Sequence, residues 1–171
     1  MLYLRKTLRL IHELLENKQI PHALIGGFAL ACYGSTRATS DIDFLIHEDH
    51  KNNVLKILKE NNFKIVHQTD EVLQFTGEGL VDFLIARRPL SQKMILEANL
   101  NGPENVSYVK PEDLIALKIQ AYTNDSQRRL QDLADIQFLI KNVSDLDFDK
   151  IKTYADLFNE WEVILEIKSK A

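Results

Sequence analysis

The sequence predicts an α+β protein: a mixed β-sheet flanked by helices, followed by a helical C-terminal region. Three observations carry this reading. Short apolar or alternating runs at residues 21–25, 41–46, 63–67, 72–75 and 80–86, bounded by turn-forming residues, have the length and period of strands. Apolar stripes at helical spacing lie before and between them, at residues 4–17 and 50–60. After Pro111 the apolar period is helical throughout. Residues 1–110 are therefore expected to form a sheet-containing core, and residues 111–171 a helical extension packed on it in one compact unit.

With 171 residues, 45% of them hydrophobic and 27% charged, the chain is long and apolar enough to bury a core. Its formal charge of −4 argues against a surface given over wholly to nucleic acid and leaves room for a local basic groove. Cys32 is the single cysteine, so no intramolecular disulfide forms; in its apolar setting it reads as a small buried residue rather than a nucleophile. No run is long and apolar enough to span a membrane, and the N-terminal stretch has no signal-peptide core, which predicts a cytoplasmic protein.

Leu4, Leu8, Ile11 and Leu15 predict a first helix with its apolar stripe on the sheet. A strand over residues 21–25 closes at Gly26 and Gly27, whose missing Cβ atoms let a ligand's phosphates approach the backbone where the next helix starts. That helix is expected over residues 28–33, stopping at Gly34 in the left-handed conformation. Residues 35–40 then form a loop rich in hydroxyls. Ser35, Thr39 and Ser40 read either as donors to phosphates or a metal shell, or as turn residues and caps. Arg37 reads either as a phosphate-neutralising guanidinium or as a surface arginine paired with an acid.

Asp41 and Asp43 alternate with large apolar residues, so in a strand they project from one face with Cα atoms roughly 6.5–7 Å apart. Phe44, Leu45 and Ile46 make the rest of that strand apolar on both faces. Carboxylates beside such a core are costly unless paired, hydrogen-bonded or bound to metal, and two held this way can share divalent cations. The run His47-Glu48-Asp49-His50 lacks the spacing of a zinc helix and reads as a solvated turn, with Asp49 capping the helix that buries Val54, Leu55, Ile57 and Leu58.

Links of a few residues join the next three strands, which predicts an antiparallel meander added to the strand bearing the aspartates. The last of the three is apolar except for Asp82, either a third member of the acidic site or a buried aspartate satisfied by a backbone amide. Arg87, Arg88 and Lys93 form either a rim for a polyanionic acceptor or a solvated edge. A short helix over 91–98 and a short strand over 106–109 are expected next. Pro111 starts a helix with Glu112 and Asp113 in its dipole-favoured first turn and Lys118 as its interior cation. A helix over 127–141 has a stripe of Leu130, Leu133, Ile136 and Leu139 or Ile140, with Asp132 and Asp135 together on its polar face. A final helical region spans 145–168, with Ile151, Tyr154, Leu157, Phe158, Trp161 and Leu165 on its apolar side.

The succession of strand, Gly26-Gly27, short helix, loop and Asp41-Ile42-Asp43 resembles the nucleotidyltransferase superfamily that includes DNA polymerase beta. Within it, the wording of residues 26–43, GGFALACYGSTRATSDID, is most similar to the abortive-infection nucleotidyltransferase toxins and the lincosamide nucleotidyltransferases. Many members have Gly-Ser where this chain has Gly26-Gly27, so backbone amides or the later loop must replace that hydroxyl. The CCA-adding branch carries an Arg-Asp pair that the helix at 28–33 lacks.

The resemblance implies the nucleotidyltransferase fold over about residues 21–140 and an enzyme that moves a nucleoside monophosphate from a triphosphate such as ATP to an acceptor hydroxyl. It implies Mg²⁺ or Mn²⁺ held by Asp41, Asp43 and Asp82, with Asp82 also acting as base. It places the triphosphate against Gly26, Gly27, Ser35, Arg37, Thr39, Ser40 and Lys118, the last matching a helical lysine of the toxin branch that otherwise reads as an exposed lysine. The toxin signature Lys-x-Arg-Asp-x-x-Asp keeps its acids at Asp132 and Asp135 but has Arg129 and Gln131 at its cations, and salt bridging to Arg128 or Arg129 reads nearly as well. The implied acceptors are RNA or tRNA, a protein or a small hydroxyl compound, with an antitoxin-like partner or a homodimer to complete the site. The competing reading is a non-catalytic nucleotide-binding protein acting through a protein partner.

Overall fold

The structure, a computed structural model, describes residues 2–170; positions 1 and 171, at the outer ends of the expected core and extension, lie outside the described residues. The chain packs as two units. The first runs to Cys32 and resumes over Thr36–Val109; the second takes Tyr33–Ser35 and runs from Lys110 onward.

In the first unit, α1 (Leu2–Glu16) buries Leu8, Ile11 and Leu15 completely. Strand β1 (His22–Leu24) leads into α2 (Gly26–Cys32), and β2 (Asp41–His47) into α3 (Lys51–Glu60). Then come β3 (Lys64–Gln68), β4 (Val72–Gly77), β5 (Gly79–Ala86) and α4 (Pro89–Leu96). Among the described residues these strands form one five-stranded mixed sheet in the order β1-β2-β5-β4-β3, which makes the protein a mixed α+β fold. The meander β3-β4-β5 is antiparallel within itself, but β5 joins β2 in parallel, and that joint puts residue 43 beside residue 82.

The two faces of the sheet differ. Phe44 and Phe83 stack with ring centroids 5.4 Å apart, Phe75 meets Phe83 edge-on at 6.0 Å, and all three are fully buried. His22 packs its ring edge-on against Phe44, and His12 of α1 reaches His22, so α1 covers the phenylalanine face. Because successive strand residues alternate faces, Asp43 and Asp82 project from the other side. Thr7 of α1, fully buried, donates its hydroxyl to the carbonyl of Glu78 in the β4–β5 turn.

Several expected boundaries move. The helix expected from residue 28 begins at Gly26, because Gly26 itself takes φ +60° and turns the chain into it. Gly34 has the left-handed backbone expected of it, φ +93°. The strand expected over residues 106–109 is reduced to isolated bridges, Leu24 with Tyr108 and Asn99 with Tyr108. Asp49 does not cap α3, whose N-cap is His50; instead the His47 side chain accepts from the Asp49 amide and caps a short 3₁₀ turn, Glu48–His50.

The second unit contains α5 (Pro111–Asn124), α6 (Arg129–Asn142), α7 (Phe148–Asp156) and α8 (Trp161–Lys170) around Leu114, Ile115, Ile119, Ile136, Leu139, Ile151 and Ile164. The final helical region expected over 145–168 consists of two helices, divided where Asn159 adopts φ +57° and the Glu160 amide turns back to the Ala155 carbonyl. Leu130, expected in the buried stripe, is 86% exposed, whereas Ile136 and Leu139 of that stripe are buried as expected and Asp132 and Asp135 are buried with them. Charge explains the buried acids. Lys118 of α5 is buried and its ammonium lies 2.9 Å from Asp132 and 2.6 Å from Asp135, so α5 and α6 meet across an ion cluster. Glu112 and Asp113 are likewise buried. Asp113 accepts from the Tyr154 hydroxyl at 2.8 Å and pairs with Lys150 at 2.7 Å, while Glu112 accepts from the Asp147 amide.

Candidate functional site

The parallel joint between β2 and β5 sets Asp43 directly beside Asp82, and the β4–β5 hairpin sets Gln74 on the far side of Asp82. A row of Asp43, Asp82 and Gln74 thus crosses three strands, with Asp41 two residues back along β2. Asp41, Asp43 and Asp82 are each half-buried, and a carboxylate oxygen from each lies within 4.8 Å of the others. Three like charges so close repel unless a cation or hydrogen-bond donors offset them.

Donors are present. The Thr39 hydroxyl donates to Asp41 Oδ1 at 2.7 Å, and Gln74 Nε2 donates to Asp82 Oδ2 at 2.7 Å. Each fixes one carboxylate's rotation. Gly26 and Gly27 supply the room. A Cβ on Gly26 would lie 1.9 Å from Asp43 Oδ2, and one on Gly27 would lie 2.5 Å from the Thr39 hydroxyl oxygen. The two glycines therefore let the start of α2 close over Asp43 and Thr39.

The donor set consists of oxygens alone, hard ligands suited to Mg²⁺ or Mn²⁺ and poorly matched to softer metals. By the chemistry of their donors, these residues fit a divalent cation of that class.

The structure brings together Asp41, Asp43, Asp82, Gly26, Gly27 and Thr39. Arg37 and Ser40 are exposed in the loop before β2, where an Arg37 Nη1 donates to the Ala38 carbonyl at 3.4 Å. Ser35 and Lys118 belong to the second unit. Lys118 is not the exposed helix lysine of one reading: its ammonium is held by Asp132 and Asp135, and Asp132 also pairs with Arg128 at 3.2 Å. Cys32 is half-buried and its thiol donates to the Phe28 carbonyl; burial pushes its pKa up to about 11, so it is no nucleophile at neutral pH.

Gln74 is the residue sequence reasoning missed. Its signal was present. A hairpin centred on Glu78 pairs Gly77 with Gly79, and counting outward pairs Gln74 with Asp82. A lone amide in the otherwise apolar run Leu73-Gln74-Phe75 marks that position.

Residues 2–162 match a protein family described as uncharacterised nucleotidyltransferase. No curated protein matches the sequence significantly. Among solved structures, ANT(2'')-Ia in complex with adenylyl-2''-tobramycin is similar with TM-score 0.68 and 14% identity over 92% of this chain and 98% of that chain. An antigenic nucleotidyltransferase-like protein from Paracoccidioides brasiliensis has TM-score 0.58 and 21% identity, covering 97% of this chain and 92% of its own. The lincosamide antibiotic adenylyltransferase LnuA, bound to lincomycin, has TM-score 0.58 and 17% identity, covering 81% of this chain and 97% of its own. At these identities the likenesses establish the fold.

Proposed function

The chain belongs to a family of nucleotidyltransferases, and from that membership we propose that it moves a nucleoside monophosphate from a triphosphate to an acceptor hydroxyl at Asp41, Asp43 and Asp82. The observation that carries the assignment of these residues is the parallel register of β2 and β5, which converges three carboxylates that no core packing requires.

In this reading the three carboxylates hold Mg²⁺ or Mn²⁺, which when bound neutralises phosphate oxygens and acidifies the acceptor hydroxyl. Thr39 and Gln74 keep Asp41 and Asp82 in fixed rotamers, so the site is organised before substrate arrives. Asp82 accepts the proton of the acceptor hydroxyl as its oxygen bonds to the α-phosphorus; the bond to the bridging oxygen breaks and pyrophosphate leaves. Gly26 and Gly27 open the backbone at the start of α2, and Ser35, Arg37, Thr39 and Ser40 offer donors to the phosphates. Lys118 is proposed as a further cation toward the nucleotide, its ammonium oriented by Asp132 and Asp135.

ATP is the first donor to test, since the similar structure of ANT(2'')-Ia holds an adenylylated product. The same structure, spanned over 98% of its length, favours a small hydroxyl compound as the first acceptor, with tRNA and protein next. The test is transfer of label from α-³²P-labelled triphosphates, with Mg²⁺, to each acceptor class. Label should reach an acceptor with the wild-type chain and fall by at least about 100-fold with Asp43→Asn, the size of loss that follows removal of a group acting in the transition state. Label on tRNA or protein would place the chain with toxin-like transferases. Transfer that survives Asp43→Asn would refute the proposed site.

A further inference from the structure

We propose that His12, Glu16 and His22 form a second metal site, for a borderline transition metal of the Zn²⁺ class, on the sheet face opposite the three aspartates. His12 and Glu16 are four residues apart on α1 and so share one helix face; His22 comes from β1. A ligand atom from each lies within 4.8 Å of the others. Two imidazoles and one carboxylate make a ligand set suited to Zn²⁺, Co²⁺ or Ni²⁺ rather than Mg²⁺.

A second observation fixes the ligand atoms. His22 Nδ1 lies 2.7 Å from the Ile20 carbonyl, which can only accept, so Nδ1 carries the proton and Nε2 presents its lone pair. An imidazole whose other nitrogen donates to a backbone carbonyl is the usual arrangement behind a metal-bound histidine. That Nε2 lies 2.8 Å from His12 Nδ1. One proton therefore bridges the two rings, donated by His12. A metal ion takes the place of that proton: the His12 proton moves to its own Nε2, both rings remain neutral, and both lone pairs face the ion. Glu16 then adds its carboxylate.

Burial supports the same outcome. His22 is 6% exposed, and desolvation lowers its pKa, which keeps it neutral and able to ligate near pH 7. His12 is half-buried and Glu16 is exposed, so the ion has a path from solvent. Bound there, it ties the end of α1 to β1.

The test uses the full chain carrying Asp41→Asn and Asp43→Asn, which removes the oxygen-only site from the readout. Titration with Co²⁺ should raise visible d–d absorption that saturates with one equivalent and persists in millimolar Mg²⁺, and Zn²⁺ should raise Tm. His12→Ala should abolish the absorption and the Tm shift. Glu16→Gln, an exposed change that leaves folding untouched, should move the Co²⁺ midpoint to higher concentration and decides the matter if His12→Ala unfolds the chain. Absence of saturable absorption, or absorption indifferent to both substitutions, would overturn the site.

Discussion

At the residue scale the site depends on what is missing as much as on what is present. Gly26 has φ +60° and its absent Cβ is where Asp43 Oδ2 lies, whereas Gly34 has φ +93° with nothing within 4 Å. Gly26→Ala and Gly34→Ala should each cost about 1–2 kcal/mol from the left-handed backbone, readable by chemical denaturation. Only Gly26→Ala also displaces a carboxylate, and its transfer rate should fall by about 100-fold while that of Gly34→Ala stays near wild type. The double glycine and the Asp-x-Asp pair were legible in the sequence as features of a candidate site, but the close approach that requires Gly26 was not. Its close contact to Asp43 depends on how α2 closes over β2, which no local pattern states. Gln74 was legible in principle, through the hairpin arithmetic that pairs it with Asp82.

At the element scale, α5 and α6 show where periodicity misleads. Reading Leu130 as core and Asp132 and Asp135 as surface follows from hydrophobicity alone, yet Asp132 and Asp135 are buried and Leu130 is 86% exposed. The missing term is Lys118, fourteen residues earlier than Asp132 and pairing with both acids. Lys118→Met leaves two buried carboxylates short of their cation and should destabilise the fold by about 3–5 kcal/mol. Adding Asp132→Asn and Asp135→Asn should recover most of that loss in a denaturation curve. If Lys118 serves the nucleotide as proposed, transfer stays impaired in the stable triple variant; recovery of transfer would reduce the cluster to a packing device. The antiparallel meander was readable from link lengths. The parallel joint of β2 to β5 was not, because the chain between them also holds α3, β3 and β4, and a link of that length permits either direction.

For the whole molecule, stability should fall on the acid side of neutrality in a way that His22 governs. Burial lowers its folded pKa, against the Ile20 carbonyl and Glu16, which raise it, and with His12, which lowers it further. The unfolded chain titrates near the ordinary imidazole value of about 6.5, so below that pH it binds a proton that the native state refuses. The contribution is therefore complete above about pH 6.5 and is lost as pH falls through the depressed folded value. Tm measured from pH 8 to pH 5 should decline, and His22→Asn should flatten that decline whatever its effect on Tm at pH 8. His22 escaped sequence reading because its burial and its partners on α1 are tertiary facts, while the α+β class itself followed from the order of apolar periods. The central claim is that Asp41, Asp43 and Asp82 act as one divalent-cation site serving a triphosphate. It is tested most directly by electron paramagnetic resonance of Mn²⁺ with a non-hydrolysable triphosphate, using the His12→Ala chain so that only the carboxylates are read. Mn²⁺ should bind tightly only when the triphosphate is present, and Asp43→Asn and Asp82→Asn should each abolish that dependence; equal Mn²⁺ binding by all three chains would contradict the account.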